Sequence, residues 1–144
     1  MSNNKIIKPK EVEFKPSVDL RYLKHSNHCL KNAANYYRKN RKELNDFFDD
    51  FQMFIHNFSQ KKEISESIKQ FSSKNGAGRC EIIKKDFVAN LINRLPVEVR
   101  EFAKDELVHL HLKPNGKGKA VIFAFVQNNS LNVFGIDLEH EFNK

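Results

Sequence analysis

Two histidines and a lysine alternate along LVHLHLK, residues 107–113. In an extended strand His109, His111 and Lys113 share one face, and Val108, Leu110 and Leu112 the other. Histidine titrates near neutrality, so a pair can supply a base and an acid within one site. Cleavage of RNA by its own 2′-hydroxyl asks for that combination, with cations to neutralise the phosphorane, and Lys117 and Lys119 follow in the next turn. An H-x-H strand can equally hold a metal, since side chains two apart point the same way. A third ligand would have to come from Glu139, His140 or Glu141, and two histidines alone make a poor site. The expectation is therefore a site with no metal and no cofactor. The plain alternative is a pair of exposed strand histidines beside a lysine-rich turn.

A second feature is the placement of charge. The net charge is +7, and seven of the 25 basic residues (Arg21, Lys24, Lys31, Arg38, Lys39, Arg41 and Lys42) lie in a stretch without acid. The remaining eighteen balance the 18 Asp and Glu. So local an excess is the electrostatic footprint of a surface for nucleic acid, the ribosome or an acidic protein, with Tyr36 and Tyr37 among the cations. Its plain alternative is a solvated helix face.

The elements that must position these groups are read from period. Residues 1–16 form a loose, lysine-rich terminus in which KEVEF suits a short edge strand stopped by Pro16; residues 17–144 form one α+β domain. Ser17 reads as an N-cap with Asp19 in the first turn, opening a helix whose stripe is Leu20, Leu23, Leu30, Ala34 and Tyr37. The clearest helix carries Leu44, Phe47, Phe48, Phe51, Phe54, Ile55 and Phe58 at steps of three and four. A shorter helix bears Ile64, Ile68 and Phe71, and SSKNGAGR ends it as a plain loop, with neither phosphate-binding glycine motif present. Phe87, Leu91, Ile92 and Leu95 mark another helix, and Pro96 opens the next, with Val99, Phe102 and Ala103.

From residue 107 the period becomes two. PNGKGK is a hairpin turn, AVIFAFV a strand apolar on both faces, QNNS a second turn and LNVFGIDL the last strand. The fold class is α+β, with the helices packed on a C-terminal antiparallel sheet in the order β-α-α-(α)-β-β-β.

A chain of 144 residues suffices for one core without metals or disulfides, and 13 Phe with no Trp predicts that phenylalanine builds it. Cys29 and Cys80 read as reduced, buried hydrophobes. The first residues show no signal-peptide pattern and no apolar run reaches membrane length, which predicts a cytoplasmic protein with no membrane partner.

The order short strand, helices, three antiparallel strands resembles the RelE/ParE-type toxins of bacterial toxin–antitoxin modules. VEFKPSVDLRYLK (12–24) is similar to that family's opening, and HLKPNGKGKAVIFAFVQNNSLNVFGIDLEHEF (111–142) is similar in layout to its YafQ branch. The resemblance implies a metal-free, ribosome-associated mRNA endonuclease neutralised by an antitoxin protein. It matches His111 to the histidine before the turn, and His140 and Phe142 to the C-terminal histidine and aromatic. The strands depart from the family in lacking arginine, Asp137 stands where a cation would be comfortable, and the 62–106 stretch is longer than the usual helical hairpin.

The leading expectation is thus an endoribonuclease with His109, His111, Lys113, Lys119, His140 and Phe142 at its centre. Arg21, Lys24, Lys31, Arg38, Lys39, Arg41, Lys42 and Lys117 would hold the RNA. The alternative is a non-catalytic basic protein that binds nucleic acid or an acidic protein through its N-terminal cations.

Overall fold

The phenylalanine stripe forms the longest helix, α1 (Arg41–Phe58), in which Phe47, Phe51, Phe54 and Phe58 are buried. Asn40 caps it by accepting the Glu43 N–H at 3.0 Å. Phe48 lies about a quarter of a turn off the stripe and is exposed, contrary to its place in the expected apolar face. The computed structural model describes residues 15–25, 34–72, 86–114 and 117–138. The edge strand expected at 12–14, Cys29, Cys80, the NGAGR loop and the Asn-Gly of the first hairpin turn lie outside them.

Helix α2 (Ile64–Phe71) follows α1, and the buried Ser67 hydroxyl donates to the Phe58 carbonyl, joining the two ends. Helices α3 (Asp86–Asn93) and α4 (Val97–Asp105) come next. Pro96 caps α4 rather than opening it: its ψ of 142° is extended. Phe102, expected on the apolar face of α4, is exposed, while Val99 and Ala103 are buried.

The sheet has the order β1-β4-β3-β2, where β1 is Ser17–Asp19 and β2 (Leu107–Lys113), β3 (Lys117–Gln127) and β4 (Ser130–Asp137) are antiparallel. Asn128 and Asn129, both left-handed at φ 54° and 60°, make the tight turn between β3 and β4. The fourth strand corrects the expected helix at residue 17. Ser17–Asp19 is β1, parallel to β4 with Val18 opposite Leu131, so the sheet is mixed. The residue that ends β1 and turns the chain is Asp19, not Ser17. Its carboxylate accepts the Arg21 N–H at 2.9 Å and leads the backbone into a 3₁₀ helix, Arg21–His25.

Helices cover both sheet faces. On one, Phe47, Phe51, Phe54, Phe58 and Phe71 of α1 and α2 meet Val108, Leu110, Leu112, Ile122, Leu131 and Ile136. On the other, Val88, Leu91 and Ile92 of α3 and Val99 and Ala103 of α4 meet Leu107, Val121, Phe123, Phe125 and Phe134. A register shift in β4 brings Gly135 under α3, where a Cβ would stand 2.9 Å from Leu91 Cδ1. No helix of the described residues is long and apolar enough to cross a membrane.

Candidate functional site

Strand β2 pairs His109 with Phe123 and His111 with Val121, so the histidines do share a face. It is the face that α3 and α4 cover. The His109 ring lies 5.6 Å from that of Phe123 and 5.6 Å from that of His111. His111 is 6% exposed, and its Nδ1 stands 3.1 Å from the Gly118 carbonyl oxygen. A carbonyl only accepts, so Nδ1 carries the proton of this contact. Val121 pairs in turn with the buried Asp137, which puts His111, Val121 and Asp137 in one cross-strand row. The arrangement binds one ring nitrogen of His111 structurally and leaves little of the ring exposed, a poor position for a general base on a large substrate.

Lys113 departs from the expected face. The β2–β3 register shifts between His111 and Lys113, and the lysine turns toward α1, where its Nζ lies 3.8 Å from Asp50 Oδ2. Gly118 packs beside it in the left-handed region at φ 84°, a backbone conformation that favours glycine. Lys113, Lys117 and Lys119 form one wall of a cleft of about 270 Å³, and Glu43, Asp46 and Asp50 line the other. Burial is the main cause that raises the Asp50 carboxyl above its ordinary pKa; Lys113 opposes it, and Asp46 and Asp49 add to it. The hairpin lysines therefore face carboxylates.

The N-terminal cations divide differently. Arg21 is tied to Asp19, Nη2 to Oδ2 at 2.8 Å and Nε to Oδ2 at 2.9 Å, and this hydrogen bond leads the causes that lower the Asp19 pKa. Lys24 falls within the 3₁₀ helix; Lys31, His140 and Phe142 lie outside the described residues.

Arg38, Lys39, Arg41 and Lys42 are brought together by a break in the chain. After a helical turn at 34–36, the Tyr37 carbonyl accepts the Asn40 N–H at 2.9 Å, and the chain turns into α1. All four cations are exposed, and none is in an ion pair among the described residues. Arg41 and Lys42 sit on the first turn of α1, where the helix dipole disfavours positive charge. Local folding does not explain their presence.

Sequence reasoning missed two parts of this surface. The carboxylates opposite the hairpin were signalled by the spacing of Glu43, Asp46 and Asp50 on one flank of a helix, but their partners are distant in the chain. Phe48 was absorbed into the apolar stripe although it lies beside it. Among the described residues no three His, Cys, Asp or Glu stand together as a metal site. No family model, curated protein or solved structure matches this chain.

Proposed function

We propose that this protein is a non-catalytic binding module that holds nucleic acid through Arg38, Lys39, Arg41 and Lys42. The carrying observation is the contrast in counterions: these four cations are exposed and unpaired among the described residues, while Arg21 and Lys113 are each engaged by a carboxylate. A polyanion that replaces the small counterions around such a cluster gains their release. Asn40 already occupies the Glu43 N–H at the helix start, so that amide is not offered to a phosphate.

Binding of a labelled RNA, followed by fluorescence anisotropy across a salt series, tests this. Neutralising Arg38, Arg41 and Lys42 together to glutamine should lower the slope of log K against log salt by about 2–3, since each phosphate contact contributes about 0.7–0.9. An unchanged slope would make the corner a solvated face. No binding at low salt would transfer the reading to an acidic protein partner.

The toxin-like endonuclease implied by the RelE/ParE resemblance is tested by the same samples. RNA cut in the presence of EDTA by the wild-type chain, and left whole by His111→Ala, would restore catalysis to the histidine strand. Intact RNA at the end of the titration supports binding without cutting.

A further inference from the structure

We infer that the nucleic acid held at this corner is single-stranded, its unpaired bases stacking on Tyr36 and Phe48; the inference rests on the reading of the corner as a nucleic-acid surface. Tyr36 is 55% exposed and Phe48 39%, and the two bracket the cations in the sequence. Neither ring hangs loose. Tyr36 meets Tyr37 edge-on at 4.9 Å, Tyr37 lies 5.9 Å from Phe47, and Phe47 meets Phe48 edge-on at 5.3 Å. The inner two are half-buried and buried. A chain of four rings thus holds its two ends toward solvent. Tyr36 and Phe48 therefore each present anchored aromatic surface to solvent, which a planar base can cover.

The position of Phe48 agrees with the charge. At 3.6 residues per turn, Arg41, Asn45, Phe48 and Gln52 fall on one flank of α1 and Glu43, Asp46 and Asp50 on the other, with the buried stripe between them. Phe48 stands seven residues beyond Arg41, about 10 Å along the helix at 1.5 Å per residue, within the reach of one or two nucleotides of an extended strand. A duplex hides its base faces and could use only the cations. A single strand uses both, and every base offers a face, so stacking needs no sequence preference. An acidic protein offers carboxylates to the cations but no planar rings in regular succession.

The test uses the full chain with a labelled single-stranded oligonucleotide, the duplex of the same sequence, and an abasic phosphodiester strand of equal length. The wild type should bind the single strand more tightly than either other probe. Tyr36→Ala/Phe48→Ala should weaken single-strand binding by about tenfold or more per ring, as base–aromatic contacts do, while leaving the salt slope and abasic binding unchanged. Tyr36→Phe/Phe48→Tyr keeps both rings and should bind as the wild type, which separates stacking from misfolding. Phe48→Trp introduces the chain's sole tryptophan, and its fluorescence should fall on adding the single strand and not the duplex. Equal affinity for single strand, duplex and abasic strand would overturn the inference and leave the cationic corner standing. A flat salt slope in the wild type would remove the corner itself, and a polyglutamate that displaces the strand at equal charge would replace it with an acidic protein.

Discussion

Two lysine- and arginine-rich clusters lie within reach of the same helix and differ in what stands opposite them. Lys113, Lys117 and Lys119 look across a narrow cleft at Glu43, Asp46 and Asp50. Arg38, Lys39, Arg41 and Lys42 look at solvent. Residue types make the clusters alike; counterions separate them. A cation whose field is met by a carboxylate a few ångströms away releases little on meeting phosphate, because the exchange is one anion for another. One flank of α1 is thus electrostatically satisfied and one end of it is not.

The largest test of this contrast removes its common support. Both clusters depend on α1 being seated on the sheet by its phenylalanines, and Phe54→Ala should cost on the order of 3–5 kcal/mol, as buried Phe truncations do. Phe51→Ala should behave alike. Urea denaturation measures it, and losses under about 1 kcal/mol for both would mean that the stripe does not hold the helix.

A smaller effect compares the clusters directly. Replacing Lys113, Lys117 and Lys119 by glutamine should leave the salt slope of nucleic-acid binding within about one of the wild type, against the fall of about 2–3 for the corner triple. Equal falls would dissolve the distinction.

The smallest concerns the cleft alone. The folded Asp50 carboxyl lies above its ordinary pKa, with burial the first cause, so its ionised form is the one the fold disfavours. That cost is fully present above the folded pKa and vanishes as pH falls below the unfolded value near 3.9. Asp50→Asn should therefore be neutral or stabilising at neutral pH, by less than about 1 kcal/mol for so exposed a pair, and indistinguishable from the wild type near pH 3. Thermal melts at the two pH values check the sign. A clear loss at neutral pH would mean that the attraction of Lys113 outweighs burial.

What the sequence made legible was whatever repeats locally. The Phe stripe of α1, the alternation in β2 and the Asn-Asn turn each declare themselves within a few residues, and the structure has them there except at Phe48, which is exposed, and Lys113, which changes side. Strand β1 does not, because three residues are too few to show a period and their partner is 113 positions away. The covered histidine face was legible in part. Val121, Phe123 and Phe125 of β3 point to that side, and an apolar strand with both faces dry implies helices on both. The side taken by Lys113 was not legible, since alternation assumes an unbroken register and the register shifts just before it. Which cations would find counterions depended on tertiary contacts that composition does not contain.

The pairing of β1 with β4 bears on the order in which the chain can assemble. Chain synthesis runs from the N-terminus, so Val18 is made early and waits for Leu131, its partner in the sheet, until nearly all of the preceding chain exists. The three antiparallel strands pair with near neighbours and close short loops, whereas β1 closes the longest loop in the sheet, the step that loop entropy delays. A nascent chain halted before β4 would hold helices without a complete sheet to cover, and its first strand would still be seeking an edge.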